Sequence, residues 1–394
     1  MTLTEEQKQF VKSTAPVLKE HGRAIMTSFY ASLFRSHPEY RNFFNPTNQA
    51  TGKQPEAFAQ TIYYFVQNLD NLDVMKPQMS RLSSKHRAVN VKPENYPTVG
   101  KYLVQAITEA LGDKNTPEAA AAWQALYNTM ASIFIKQEKE LYEQLGNEVD
   151  KGFVPFTVVK KEPVASGPTY VVTLARQDGG KVWNHTPGQY ITLRIEKGGV
   201  AYNGHYTILD PPGSNTYSVA LKLGNNADQN IITTEEIIRN RDINSTVLVS
   251  APAGTFGLVN DAKNHLFIAG GIGIASLLAM ISALNQQGKT SSTSVIQCVR
   301  SEEYAAFAGK LHNIVPQSQY LILTERDPIS KKHLEGKLQP DTQVYISGSE
   351  MFLALVEYAL TGAGHPRSQI HIKSIEPTLG LLKSIGKSGC PVMQ

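Results

Sequence analysis

The sequence predicts a multidomain protein with three successive fold classes: an all-α region, an antiparallel β-barrel and a doubly wound α/β region. Three observations lead to this prediction. Residues 1–147 carry helical periodicity, residues 151–258 consist of short β-rich runs between turns, and residues 262–394 alternate apolar strands with helices. A chain of 394 residues suits two or three domains, at roughly 150 residues per domain.

Composition excludes several classes of protein. The chain has 38 Lys and Arg against 34 Asp and Glu, and this nearly neutral balance argues against a nucleic-acid partner. No apolar run approaches the roughly 18 residues of a membrane helix, and the polar, acidic N-terminus lacks the pattern of a signal peptide. Cys298 and Cys390 exclude a disulfide scaffold, and neither falls on a motif. We therefore expect a cytoplasmic monomer without a transmembrane segment.

The first region is predicted to be helical. Apolar residues recur at helical spacing over residues 16–34, 101–111 and 116–145, and good helix formers fill the intervening positions. The last of these segments opens with Thr116 and Pro117, a capping residue followed by a proline suited to the first turn. These segments predict an all-α domain over residues 1–147.

The second and third regions are predicted from strand patterns. Residues 153–159, 169–175, 190–195 and 217–223 are β-rich, and glycine- and proline-containing turns separate them, as in a small antiparallel barrel. Beyond residue 262, strands and helices alternate in the manner of a parallel sheet. The predicted strands cover residues 265–269, 294–299, 320–324 and 343–347, and the predicted helices cover residues 275–284 and 352–362.

Three polar residues in the helical region are candidates for a metal-ligating site. His86 lies in a helical segment, Tyr96 follows a proline ten residues later, and Glu138 interrupts an apolar face of the last helix. A buried carboxylate needs a partner. A metal-bound imidazole has an N–H that needs an acceptor, which Glu138 can supply. Each residue alone is more simply a surface or core residue; together they suggest a ligand histidine with its supporting groups.

In several stretches around these three residues the chain resembles the flavohaemoglobins, and the whole length of the chain follows that family's order of globin, FAD and NAD domains. The stretches that carry the resemblance are Ser28-Phe29-Tyr30, Asn42-Phe43-Phe44-Asn45, Thr47-Asn48-Gln49, Lys85-His86-Arg87-Ala88, Val91-Lys92-Pro93-Glu94-Asn95-Tyr96 and Phe134-Ile135-Lys136-Gln137-Glu138.

The resemblance implies a role for each residue of the haem site. His86 would be the proximal iron ligand, supported by Tyr96 and Glu138, and Lys85 beside it is also assigned to the site. Such a carboxylate makes the imidazole a stronger electron donor, as in peroxidase-like sites. The remaining residues would pack on the porphyrin or face bound oxygen: Phe44, Tyr30, Gln54 and Phe58, the last standing where the family usually has leucine.

The flavin signature is matched only in part. Tyr190, His205, Tyr206 and Thr207 stand at positions that the resemblance assigns to the flavin site. Gly204 stands where the family has a phosphate-binding arginine. A glycine-containing phosphate turn is also expected upstream of a helix. The chain has Ile231-Ile232-Thr233-Thr234 there, so it retains a hydroxyl at Thr234 and loses the glycine.

The nucleotide-binding motifs are also altered. The residues assigned to the glycine turn, where the backbone can approach a pyrophosphate, are Gly271, Ile272, Gly273, Ile274, Ala275 and Ser276, the last two replacing the family's Thr-Pro. In the family's final strand motif, Lys373 stands where the family has an acidic residue, so the charge at this position is reversed. The site residues assigned to that strand are Ser374, Ile375, Glu376 and Pro377, with Ile375 standing in place of an aromatic that covers the flavin.

The resemblance implies a nitric oxide dioxygenase. One haem b would bind O₂ that converts NO to nitrate, and electrons would pass from NAD(P)H through one weakly bound FAD. The altered flavin motifs leave two alternatives. One is a haem-based O₂- or NO-binding or sensing globin with a vestigial reductase, and the other is a globin that a separate partner reduces. A visible spectrum distinguishes them, because haem and flavin bands can be counted separately.

Overall fold

The computed structural model describes residues 3–145, 152–165, 167–224, 231–259 and 261–375. The described residues form two compact units: one contains the helices up to residue 145 together with residues 198–201, and the other contains the remaining described residues, which form most of two β-sheets. Among these residues, no helix combines the length and the hydropathy that are required to span a bilayer.

The first unit is all-α, as predicted. Thr116 caps the longest helix, because its side chain accepts a hydrogen bond from the Ala119 N–H at 3.2 Å. Between residues 3 and 145 the helices are α1 (Glu5–Thr14), α2 (Pro16–Ser36), α3 (Pro46–Ala50), α4 (Lys53–Gln67), α5 (Lys76–Ala88), α6 (Asn95–Glu109) and α7 (Pro117–Glu143). The helices predicted over residues 16–34 and 116–145 therefore correspond to α2 and α7. Helix α6 starts six residues before the predicted helix over residues 101–111, so Tyr96 lies in its first turn.

Small residues let the helices of this unit approach closely. A Cβ atom on Gly22 of α2 would lie 2.6 Å from the Cβ atom of Ala59 on α4, and one on Gly100 of α6 would lie 2.4 Å from the Tyr127 ring on α7. The side chains of Ala59 and Tyr127 at these crossings are both buried. The core between the helices is therefore packed without space for further atoms at either crossing.

The second unit begins with a six-stranded antiparallel sheet in the order β4-β3-β6-β1-β2-β5. Its two end strands also meet, because Ile208 forms an antiparallel bridge to Val219, and this pairing closes the sheet into the predicted barrel. The elements are β1 (Phe153–Pro163), β2 (Thr169–Arg176), β3 (Tyr190–Lys197), β4 (Val200–Thr207), β5 (Tyr217–Lys222), α8 (Ile231–Asn240) and β6 (Thr246–Ser250).

A five-stranded sheet follows, in the order β11-β10-β7-β8-β9, and all of its neighbouring strands are parallel. This confirms the predicted doubly wound α/β region. Its elements are β7 (Asn264–Gly270), α9 (Ile274–Gln286), β8 (Thr293–Cys298), α10 (Ala308–Ile314), β9 (Tyr320–Leu323), β10 (Thr342–Gly348), α11 (Glu350–Gly362) and β11 (Ile370–Ser374).

Two details of the barrel differ from the sequence pattern. The sequence pattern predicts that Gly204 to Thr207 open a strand, whereas these residues end β4, and β6 was not predicted as a strand. Thr246–Ser250 is only five residues long, and the chain pairs it between β3 and β1. Its strand character therefore comes from neighbours that are distant in the sequence. The predicted domain limits at residues 147, 258 and 262 stay predictions.

Replacing Gly100 with alanine is expected to destabilise the helical unit by about 1–3 kcal/mol, because the added methyl group overlaps the Tyr127 ring. Thermal unfolding of the whole chain, followed by circular dichroism, measures the change. Gly362→Ala is the matched control, because no heavy atom lies within 4 Å of its added Cβ atom. An unchanged unfolding temperature in Gly100→Ala would contradict the tight crossing of α6 and α7.

Candidate functional site

The structure brings together the three polar residues singled out in the helical region. His86 lies in the last turn of α5, and its Nδ1 atom is 2.7 Å from Oε1 of Glu138 on α7. Tyr96, in the first turn of α6, donates its hydroxyl to the same oxygen at 2.6 Å. With Nδ1 engaged by a carboxylate, the neutral imidazole carries its proton there and presents the Nε2 lone pair as a ligand.

Burial of Glu138 strengthens the hydrogen bonds that its carboxylate accepts. Glu138 is 2% exposed, whereas the His86 side chain is about one-third exposed. Among the described residues, Oε2 of Glu138 has no hydrogen-bond partner, so the carboxylate accepts both of its hydrogen bonds at Oε1. Burial and the neighbouring carboxylate raise the pKa of Tyr96, which keeps its phenol protonated as a donor.

Neighbouring residues hold the cluster in position. Tyr127 donates its hydroxyl to the Tyr96 carbonyl oxygen at 2.7 Å. One turn before His86, Ser83 donates its hydroxyl to the side chain of Gln137 at 2.8 Å, which ties α5 to α7. The Phe134 ring meets the His86 ring edge-on at 5.4 Å between centroids. These contacts limit the rotation of the imidazole.

The residues assigned to the distal side also lie together. Gln54 donates its side-chain amide to the Tyr30 hydroxyl at a long 3.4 Å, and the Tyr30 ring lies 5.1 Å from the Phe44 ring and 6.2 Å from the Phe58 ring. Burial raises the pKa of Tyr30, so its hydroxyl remains a proton donor. Lys85 is exposed in the turn that carries His86.

This donor set suits haem. An imidazole with one engaged nitrogen is the usual single protein ligand of haem iron, and a second interaction with a carboxylate orients it. The aromatic side chains around Tyr30 offer an apolar wall for a porphyrin, and the tyrosine hydroxyl is a donor for a polar diatomic ligand.

In the second unit, several residues assigned to the flavin gather where the barrel meets the parallel sheet. The hydroxyls of Thr207 and Ser276 hydrogen-bond each other at 3.2 Å, and the Tyr190 and His205 rings meet edge-on at 5.2 Å. Tyr190 and His205 are half-buried, so they line an accessible surface. Lys373, on β11, donates its ammonium group to the Thr207 hydroxyl at 2.7 Å.

Gly204 and Thr234, which are assigned to the flavin diphosphate, both contact Tyr206, whose ring the resemblance assigns to the flavin ring. The Tyr206 ring covers Gly204, so that a Cβ atom at position 204 would lie 2.6 Å from the Tyr206 hydroxyl oxygen. That hydroxyl hydrogen-bonds the Thr234 hydroxyl on α8 at 2.8 Å, and both residues are buried. A side chain larger than glycine at position 204 therefore requires the Tyr206 ring to move. With no arginine at position 204 and the Thr234 hydroxyl bound to Tyr206, this end of the site has fewer groups for a diphosphate than the family pattern provides.

Arg194 does not replace the missing arginine. Its Nε atom donates to the Asn203 side chain at 2.9 Å, and its guanidinium group lies 3.7 Å from the centroid of the Phe153 ring. Because successive residues of a strand face opposite sides, an arginine held by Asn203 lies on the face that Gly204 does not use.

The glycine turn has the geometry expected of a nucleotide site. Gly271 has φ of +53°, and a Cβ atom on Gly273 would lie 2.3 Å from the Ser347 carbonyl oxygen. Both glycines are therefore required where β7 passes into α9, and the backbone N–H groups that begin α9 are available to an anion. Ile272 is half-buried beside the turn, whereas Ile274, Ala275 and Ser276 are buried in the start of α9.

The end of β11 accounts for the remaining assigned residues. Ser374 and Ile375 are half-buried, and the Ile375 N–H donates to the Gly348 carbonyl oxygen at 3.1 Å. Glu376 and Pro377 lie outside the described residues, as does Cys390. Burial raises the pKa of the Cys298 thiol to about 12, in agreement with an unreactive cysteine.

Lys373 is a site residue that the sequence analysis did not assign. Its charge reversal was visible in the sequence, but its partner Thr207 lies 166 positions away. Phe256 and Tyr127 were also not assigned, because an aromatic in a strand-rich or helical segment is usually a core residue.

Comparisons with known proteins agree with this architecture. The globin family model matches residues 27–134. The flavohemoprotein of Halalkalibacterium halodurans is 31% identical to this chain, over 97% of this chain and 99% of its own length. The flavohemoprotein of Bacillus cereus is 32% identical, over 96% of this chain and 100% of its own.

A solved structure supports the fold of the whole chain. The flavohemoglobin from Malassezia yamatoensis, whose crystal structure has bound FAD and heme, superposes with a TM-score of 0.84 at 24% identity, over 95% of this chain and 100% of that one. Because identity above 30% extends along nearly the full length of both curated relatives, this chain belongs to the flavohemoprotein family.

Proposed function

We propose that this protein is an NAD(P)H- and FAD-dependent nitric oxide dioxygenase, a cytoplasmic monomer that converts NO and O₂ to nitrate. The observation that carries the proposal is the hydrogen-bonded cluster of His86 and Tyr96 around the buried carboxylate of Glu138. An O₂ carrier has no need of a carboxylate on its proximal histidine, whereas an enzyme that activates bound O₂ benefits from the added electron donation.

The residues of the helical unit have distinct roles in this proposal. Haem would supply an iron that binds O₂. His86 would hold that iron through Nε2, while Glu138 accepts a hydrogen bond from Nδ1–H and thereby makes the imidazole a stronger donor. Tyr30 would offer its hydroxyl as a hydrogen-bond donor to the diatomic ligand, and Gln54, which donates to that hydroxyl, would orient it. Phe58, whose ring centroid lies 6.2 Å from that of Tyr30, would narrow the space around that hydroxyl.

The second unit would supply the electrons. We propose that residues 151–258 bind FAD, that residues 262–394 bind NAD(P)H, and that residues 1–147 form the haem domain. By resemblance the Tyr206 ring would pack on the flavin, but it is buried against Gly204, so Tyr190 would offer the aromatic face instead. Thr207 would offer a hydroxyl to the flavin ring, and the turn at Gly271 and Gly273 would offer backbone N–H groups to the nucleotide phosphates. At the diphosphate end, the contact between Tyr206 and Thr234 has to open.

Replacing His86 with alanine is expected to abolish tight haem binding, because the iron loses its protein ligand. The ratio of Soret to protein absorbance in purified protein measures haem content. His21→Ala is the control, because His21 is an exposed histidine on α2. A His86→Ala protein that keeps full haem and an unchanged Soret band would remove His86 as the ligand.

Replacing Glu138 with glutamine is expected to retain haem and to lower the iron–histidine stretching frequency, because an amide is a poorer acceptor for the imidazole N–H. Resonance Raman spectroscopy of the ferrous protein measures the stretch. Glu140→Gln, an exposed position on the same helix, should leave it unchanged. If the stretch does not move in Glu138→Gln, then Glu138 does not act on the iron.

The purified protein is expected to contain less than one FAD per haem. Loss of the arginine–phosphate bond at position 204 costs about 1.5–3 kcal/mol, which is on the order of 10- to 100-fold in affinity. With NADH, FAD and oxygen supplied, the protein should consume NO catalytically and form nitrate, at a rate that rises with added FAD. An NO electrode and nitrate analysis measure this.

The His86→Ala protein serves as the blank for the turnover assay. One FAD per haem after extensive dialysis would contradict the weakened site. Stoichiometric NO binding without nitrate formation, at saturating FAD and NAD(P)H, would contradict the dioxygenase and favour a haem-based binding or sensing protein.

A further inference from the structure

Lys373 places a positive charge at a position where the family has an acidic residue. Its ammonium group donates to the Thr207 hydroxyl at 2.7 Å and to the Gly188 carbonyl oxygen at 3.1 Å. It also lies 5.7 Å from the ring centroids of both Tyr190 and Phe256. Four residues of the barrel therefore hold the end of a side chain that comes from the edge strand of the parallel sheet.

The partners of this lysine are neutral. Among the described residues, Lys373 forms no ion pair with a carboxylate, and its two hydrogen-bond acceptors are a hydroxyl and a carbonyl oxygen. Loss of hydration among these groups lowers the pKa of Lys373 to about 7. A negative charge that arrives with a ligand therefore favours the protonated form of Lys373, and its attraction to the ammonium group is strong because that group has already lost hydration.

The position of Lys373 indicates which ligand this is. By resemblance, Thr207 is the residue whose hydroxyl hydrogen-bonds the flavin, and the family has an acid where this chain has Lys373. The ammonium group is thus one hydrogen bond from the atom that would contact the flavin ring. Gly204 provides no positive charge for the flavin diphosphate. Lys373 instead provides one beside Thr207, the residue assigned to the flavin ring.

We propose that Lys373 makes the flavin site selective for reduced, negatively charged FAD over oxidised FAD, and thereby raises the midpoint potential of the bound flavin. This inference rests on the proposed function, since it requires FAD to bind. A hydride from NAD(P)H brings two electrons and one proton to FAD. NAD(P)H leaves as NAD(P)⁺, and the flavin ring gains one negative charge, which the Lys373 ammonium group neutralises. Oxidised FAD has a neutral ring and gains no such interaction.

The test is a redox titration of protein loaded with FAD. Lys373→Met removes the charge and keeps an extended side chain. It should weaken the binding of reduced FAD relative to oxidised FAD on the order of tenfold, which lowers the two-electron midpoint potential by about 30 mV. Lys373→Glu, which restores the acid of the family, should lower the potential further. Lys373→Arg, which retains the charge, should stay close to wild type.

Two further measurements make the result decisive. Lys160→Met is the control, because Lys160 is an exposed lysine of the same unit that pairs with Glu162 on β1. Equilibrium dialysis of oxidised FAD should give similar affinities for wild type and Lys373→Met. Circular dichroism shows whether each variant folds, and Lys373→Gln replaces Lys373→Met if the latter does not.

The outcomes separate this inference from the proposed function. If FAD binds and the midpoint potential of Lys373→Met and Lys373→Glu equals that of wild type, then Lys373 does not select the redox state, while the proposed function stands. If both redox forms lose affinity equally in Lys373→Met, the lysine has only a structural role and the inference is wrong. If wild-type protein takes up no FAD at millimolar concentration, both the inference and the proposed reductase are wrong.

Discussion

The helical unit depends on one electrostatic constraint, which is that the buried carboxylate of Glu138 has to be hydrogen-bonded. An ionised carboxylate that is almost fully removed from water is costly unless donors surround it. Two donors from two other helices, the imidazole of His86 and the phenol of Tyr96, meet this requirement at one oxygen atom. The same bonds fix the tautomer and the direction of the imidazole. The contact that stabilises the Glu138 carboxylate therefore also prepares His86 as a ligand.

The second unit presents the opposite case. Lys373 is held among neutral groups, so the folded chain leaves its charge uncompensated by any described carboxylate. The buried carboxylate of Glu138 has its partner His86 before a ligand arrives, whereas the ammonium group of Lys373 gains a partner of opposite charge only when an anion binds. The two units therefore use burial differently: one to strengthen a permanent bond, and the other to favour one charge state of a ligand.

Much of the fold follows from local sequence patterns, but the contacts of the site do so only in part. The periodicity of residues 16–34 and the capping pair at Thr116 were sufficient to predict α2 and α7, because helical signals lie within a few residues of each other. Strand β6 and the contact of Lys373 with Thr207 depend on residues dozens to more than a hundred positions away. No window of local sequence contains those partners, so the strand was missed and the role of the lysine was not assigned.

The altered flavin motifs are not independent of one another. From sequence, Gly204 and the changed phosphate turn count as two independent departures from the family pattern. In the structure, the absence of a side chain at position 204 is what gives the Tyr206 ring its place, and from that place its hydroxyl reaches Thr234 on the altered turn. Because these residues share one contact, their energies do not add. A larger side chain at position 204 would displace Tyr206 and leave the buried Thr234 hydroxyl without that partner. Restoring the family's arginine alone therefore cannot restore its phosphate site, since the ring that now fills the space must first have somewhere else to go.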